Sequence, residues 1–164
     1  MLCNQAQTEY DVFCSVLMVP IGQLYGGKIC AALDRQHPRD IFDVKLLLEH
    51  DNLTPNIMKG FIYGLLSSDR PIHELLSPNL LDQRKLFETH FSGMTTVPFT
   101  YDDFEATRAE LIEQVRAKLS SEDRDFLLGF NHLEADWSHY PFEDFPSVKW
   151  KLQNLKKLKE KNIE

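Results

Sequence analysis

Cysteine is scarce in this 164-residue chain, and what there is does not suggest pairing. Cys3, Cys14 and Cys30 are odd in number and show no CxxC spacing. That argues against a disulfide framework or a zinc site and fits a reducing compartment. The six His are scattered and form no HExxH, so there is no local metal motif. No apolar run reaches the roughly 18 residues that would suggest a membrane span. The opening residues, MLCNQAQTEYD, carry neither a basic stretch nor an apolar core, so the sequence predicts no signal peptide and a cytoplasmic location. Basic charge is also short: 18 Lys and Arg against 25 Asp and Glu leave a net charge of −7. From Lys149 onward six Lys face two Glu, so residues 1–148 carry about −11. An acidic body argues against broad nucleic-acid binding. The basic tail reads as a solvated helix whose Lys residues favour the negative end of its dipole, with phosphate contact as the other reading.

What is present describes a globular, mainly helical domain. Apolar residues make up 43% of the chain, and eleven of its residues are Phe, enough for a well-packed core in one domain over residues 1–164. YDVFCSVLMV, residues 10–19, alternates weakly and is rich in Val and Phe, which predicts a strand. Pro20 ends it and opens a helix to about Asp34; Pro38 opens a second, to about His50. Thr54-Pro55 caps and starts a third, to about Ser67. RPIHELLSP allows one or two turns, and LDQRKLFETHF predicts another helix. Thr100 with Asp103 resembles a capping box for a long helix on which Phe104, Leu111, Val115 and Leu119 form one stripe. SSEDRDFLLGF starts the next helix, and Ser147 is the expected cap of the last. The fold class is therefore mainly α, about seven helices with one or two short strands near the N-terminus. A single strand forms no sheet alone, so the chain reads as the helical remainder of a larger α/β protein.

LYGGKICAALDRQHPRDIFDVKLLLEH, residues 24–50, is the unusual stretch. Lys28 and Arg35 are seven residues apart on one helical stripe. Asp40 and Asp43, three apart, share a face of the next helix. Ile41, Phe42, Val44, Leu46, Leu47 and Leu48 surround that helix almost completely, so it is expected to be largely buried. Carboxylates there require cationic partners, and Lys28, Arg35 and Arg39 are nearest. On this reading Asp43→Ala strands a buried cation at a cost of roughly 3–5 kcal/mol. Gly26 and Gly27 are poor helix formers, tolerable where a backbone or ligand approaches too closely for a Cβ. Two arrangements suit these residues. One is a salt-bridge brace between helices; the other is a polar pocket for an anionic ligand, as phosphoryl transfer uses. Trp137, Tyr140 and Phe142 in the loop DWSHYPFEDFP suit either a core lid or a stacking platform for a base.

The segment LYGGKICAALDRQHPRDIFDVKLLL, followed in order by RPIHELLSPN, GMTTVPFTYDDFEATRAELI, DRDFLLGF, DWS and VKWKLQNL, resembles the AbiEii/AbiGii-type nucleotidyltransferase toxins. These are the toxin half of type IV abortive-infection toxin–antitoxin pairs. The resemblance covers almost the whole chain and implies the C-terminal part of a polymerase-β-like nucleotidyltransferase. It implies that Lys28, Asp40 and Asp43 are catalytic, and that Gly26, Gly27, Lys28, Arg35 and Arg39 bind nucleotide. It implies magnesium and a nucleoside triphosphate (GTP or another) for the full-length family, an antitoxin partner, and RNA or tRNA as acceptor. The family's metal-binding motif is Gly-Ser followed by Asp-x-Asp. No Gly-Ser occurs here, and the Asp123-x-Asp125 spacing has none before it. The sequence therefore predicts no metal ligands in this chain, and a truncated C-terminal portion inactive alone. The alternative is a self-standing interaction module that binds an antitoxin or another subunit. A homodimer through the N-terminal strand and first helix is expected, because a bare edge strand invites another chain.

Overall fold

The computed structural model describes residues 4–11 and 17–161. Among them the chain forms nine helices and no strand. They are α1 (Asn4–Tyr10), α2 (Ile21–Arg35), α3 (Pro38–His50), α4 (Pro55–Ser67), α5 (Ile72–Leu76), α6 (Arg84–His90), α7 (Tyr101–Lys118), α8 (Ser121–His132) and α9 (Pro146–Lys161).

The mainly α class holds, but the expected N-terminal strand is not seen. Tyr10 ends α1, Asp11 turns with φ 47°, and residues 17–19 have no regular structure and are exposed. Residues 12–16 of that stretch lie outside the described residues. β-Propensity measures packing against neighbours on a pleated surface. Among the described residues there is no second strand to supply one.

Local signals set most helix starts. Thr54 Oγ1 accepts from Ile57 N–H at 3.4 Å, with Pro55 in the first turn of α4. Thr100–Asp103 and Ser120–Asp123 form complete capping boxes on α7 and α8, each worth about 1 kcal/mol against Ala. Ser147 does not cap α9. The helix starts at Pro146, two residues before the start a Ser147 cap would give, with Lys149 N–H donating to Phe145 O at 3.0 Å, because Pro146 is preorganised for the first position. Ser147 Oγ donates to Ser67 Oγ at 3.1 Å instead.

The centre of the fold is the crossing of α2 and α4. A Cβ on Gly26 would collide with the backbone of Gly60 and Phe61, and one on Gly60 with the carbonyl of Gly22. Backbone therefore touches backbone, and α4 sinks into the core with Phe61, Leu65 and Leu66 at 0% exposure. Val148 and Lys151 of α9 cover its other side. A second focus is aromatic: Phe42, Phe87, Phe91, Phe99 and Phe104 pack edge-on or tilted where α3, α6 and α7 meet, a geometry that adds about 0.5–1.5 kcal/mol per pair beyond burial.

Candidate functional site

The two residues between α2 and α3 turn the chain back on itself. Late residues of α2 thus face early residues of α3. Arg35 Nη2 lies 3.0 Å from Asp40 Oδ2, and the Lys28 ammonium donates to Asp43 Oδ2. The four expected residues share one seam, as two parallel ion pairs. They are less buried than the sequence suggests: the side chains of Lys28 and Asp43 are 39% and 43% exposed, and Arg35 is 62% exposed. The reason lies in α3. Ile41, Val44 and Leu47 are buried, whereas Phe42, Leu46 and Leu48 are only partly covered, which leaves a wet stripe for the acids.

Arg39 does not join them. Its Nη2 lies 3.0 Å from Met94 Sδ, in the turn after α6. His37 caps α3 by accepting Arg39 N–H on Nδ1 at 3.2 Å. Burial lowers its pKa against the pull of Asp40, in keeping with a ring that must offer a lone pair. Gly26 is covered by α4, while Gly27 faces open space. Of the backbone and ligand readings for this pair, Gly26 takes the backbone one.

The turn is held from below by a buried polar knot that the sequence reading missed. Gln36 is left-handed, φ 49°, and its own N–H caps Ala32 O. A non-Gly residue there costs about 1–2 kcal/mol. Its side chain offsets this with three bonds: Nε2 to Asn79 O at 2.7 Å, and Oε1 from Leu81 N–H at 3.0 Å and Arg108 Nη1 at 2.9 Å. Arg108, 5% exposed, also donates to Leu81 O at 2.6 Å. A signal existed: Arg108 falls on the Phe104–Leu111–Val115 stripe of α7. Lys151, on the Val148–Leu155 stripe of α9, is a second buried charge. Its Nζ donates to Leu65 O and Arg70 O at 2.7 and 2.8 Å. Burial lowers its pKa to about 8.

The arrangement suits phosphate contact and not metal chelation. Lys28 and Arg35 are open enough to meet an anion at the α2–α3 seam. Asp40 and Asp43 each face a cation across the seam, and among the described residues no three His, Cys, Asp or Glu side chains gather to hold a metal ion. Asp123 caps Ser120 N–H and accepts from the Tyr140 hydroxyl, so Asp123-x-Asp125 is a helix start. The described residues thus do not fit a two-metal centre, which needs carboxylates shared between both ions. The aromatic loop is a lid. Trp137 packs edge-on to Phe126 and Phe130, Tyr140 lies 4.5 Å from Phe126, and Phe142 meets Tyr63.

The family model of the nucleotidyl transferase AbiEii toxin, from type IV toxin–antitoxin systems, matches residues 3–154. The chain belongs to the AbiEii family. No curated protein and no solved structure matches it. The AbiEii match encloses the whole α2–α3 seam, the Gln36–Arg108 knot and Lys151. Membership makes the chain a nucleotidyltransferase-type toxin of a system that pairs toxin with antitoxin. Among the described residues no helix is long and apolar enough to cross a membrane.

Proposed function

We propose that this chain is the helical portion of an AbiEii nucleotidyltransferase, serving nucleotidyl transfer from a nucleoside triphosphate, GTP or another, and that it is inactive alone. The observation that carries this is the pairing of Asp40 with Arg35 and Asp43 with Lys28. Both carboxylates neutralise cations, and among the described residues no other acids gather to hold a metal ion, so this reading takes the magnesium ligands from other polypeptide. In this reading Lys28 is the phosphate contact, with Arg35 about two helical turns along the same seam. Asp43 and Asp40 hold those two cations in place until an anion takes over. Arg39, turned to Met94, and Gly27, open to solvent beside Lys28, are assigned to nucleotide binding in the same reading. RNA, tRNA included, is the acceptor proposed for the complete enzyme, and an antitoxin is its partner in the cell.

The test is direct. The purified chain is incubated with magnesium, each labelled nucleoside triphosphate and tRNA. No label is transferred, while weak nucleotide binding survives and is lost in Lys28→Ala. Magnesium-dependent labelling that Asp40→Ala abolishes would overturn the reading and restore Asp40 as a metal ligand.

A second reading has one observation in its favour. Leu17, Met18, Val19 and Ile21 form an exposed apolar run leading into α2, of the kind that marks an interface when contiguous. A self-standing interaction module, homodimeric through this region or bound to an antitoxin, would use it. Light scattering at high protein concentration separates the two: a clean monomer with nucleotide affinity supports the enzyme portion.

A further inference from the structure

We propose that the groove between α5 and α8 is a docking site for an acidic amphipathic helix of a protein partner. The groove encloses about 470 Å³ at the end of α7. Ile72, Leu119 and Leu127, nearly fully buried, form its base, and Leu128 stands 58% exposed on one wall. On α8, Arg124, Leu127, Leu128 and Asn131 recur at helical spacing, so one stripe faces the groove. The opposite wall is α5, where Leu76 lies one turn beyond Ile72. Two helices flanking an apolar trough form the usual receptor for a third helix presenting anchors at i, i+3 or i+4 and i+7.

Charge complementarity selects the occupant. The ionisable groups lining the groove are His73, Arg116 and Arg124, and no Asp or Glu lines it. That is unusual in a chain with 25 acids and 18 bases. The local acids are turned elsewhere: Glu74 reaches Arg70 at 3.6 Å and lines another cleft, and Glu122 and Asp123 line a third. Both guanidinium groups are tethered by backbone carbonyls. Arg116 Nε donates to Leu76 O at 2.8 Å; Arg124 donates to Arg116 O at 2.6 Å and Leu119 O at 3.2 Å. Among the described residues neither forms an ion pair, so each presents donor atoms already oriented and free for a carboxylate. An apolar trough with an arginine rim fits Leu-type anchors flanked by Glu or Asp, and a preorganised rim lowers the ordering cost of binding.

The experiment uses the full chain and two labelled synthetic peptides of about five helical turns. Both carry Leu at i, i+3, i+4 and i+7; one has Glu at the flanking positions and its twin has Lys. Fluorescence anisotropy is expected to show saturable binding of the Glu peptide and at least tenfold weaker binding of the Lys twin. Leu128→Ser, at an exposed position that the fold tolerates, is expected to weaken the Glu peptide about tenfold, or about 1.4 kcal/mol. Arg116→Gln with Arg124→Gln is expected to erase the preference between the twins; should that variant not fold, the comparison on the natural chain still decides. Equal binding of both twins, or no saturable binding of the Glu peptide, overturns the proposal. So does displacement of the peptide by an RNA oligonucleotide in a Leu128-dependent manner, which would make the rim a phosphate contact. A concentration-dependent dimer abolished by Leu128→Ser would assign the groove to a second copy and overturn it as well.

Discussion

Lys28 of α2 meets Asp43 of α3 ammonium to carboxylate, with both side chains about two-fifths exposed. This relationship lowers the stakes that the sequence implied. An ion pair in water contributes about 0–1 kcal/mol, not the 3–5 kcal/mol of a buried one. Asp43→Ala is therefore expected to lower unfolding free energy in urea by less than about 1 kcal/mol. A loss several times larger would mean that the seam is dry in solution.

The same exposure leaves Lys28 available to phosphate. Nucleotide binding, followed by a labelled nucleoside triphosphate, is expected to be weak and to fall as salt rises, since it is mainly electrostatic. Lys28→Ala removes it and lowers unfolding free energy by no more than Asp43→Ala does, less than about 1 kcal/mol. Salt-independent binding would place the nucleotide elsewhere.

Neighbouring glycines are expected to behave in opposite ways. Gly27 faces open space, so Gly27→Ala gains helix propensity and stabilises by about 0.5–1 kcal/mol. Gly26→Ala drives a Cβ into the backbone of α4 and costs about 1–3 kcal/mol. Thermal denaturation of the two variants checks both signs at once. Equal effects would show that α2 and α4 do not cross at Gly26.

Gln36→Ala removes one acceptor from the buried Arg108 guanidinium and the side-chain bonds that hold the left-handed turn against Asn79 and Leu81. Hydrogen bonds to charged groups contribute about 1.5–3 kcal/mol, so a loss of at least about 2 kcal/mol in unfolding free energy is expected. A neutral result would mean that Arg108 finds another acceptor.

Stability is expected to rise from about pH 8 to about pH 9 and then to stay level to about pH 10.5. Lys151 has its folded pKa lowered to about 8 from an ordinary 10.5, mainly by burial. The unfolded chain therefore holds more protons above about pH 8, and stability rises with pH from there toward 10.5. Cys30 opposes this. Burial raises its thiol to about 12 from an ordinary 9.0, so above pH 9 the unfolded chain ionises there first and this cancels the rise from Lys151. Lys151→Met is expected to remove the rise and uncover a fall above pH 9, and Cys30→Ala to let the rise run on to pH 10.5, in urea unfolding measured from pH 7 to pH 10.5. Identical pH profiles in all three proteins would rule the pair out as the cause.

Helix starts were legible because they are local. Thr54-Pro55, Thr100 with Asp103 and Ser120 with Asp123 each satisfy backbone donors within three residues, so no distant contact can cancel them. Ser147 misled because Pro146 competes for the same turn. The pairing of Arg35 with Asp40 was legible too, since a two-residue turn between helices leaves few alternatives. So was the AbiEii signature, carried by residue order alone. By itself, then, the sequence determined a helical chain of this family and the four residues that brace its first hairpin. Tertiary structure decided the rest. Whether Lys28 and Asp43 are wet depends on which stripe of α3 the core takes. Whether Gly26 serves a ligand or a backbone depends on α4, more than thirty residues away. Residues 17–19 are not a strand because nothing among the described residues offers them a ladder. Arg108 and Lys151 look like surface charges until α7 and α9 turn them inward onto carbonyls. Burial belongs to the arrangement of several helices at once, and no short stretch of sequence contains it.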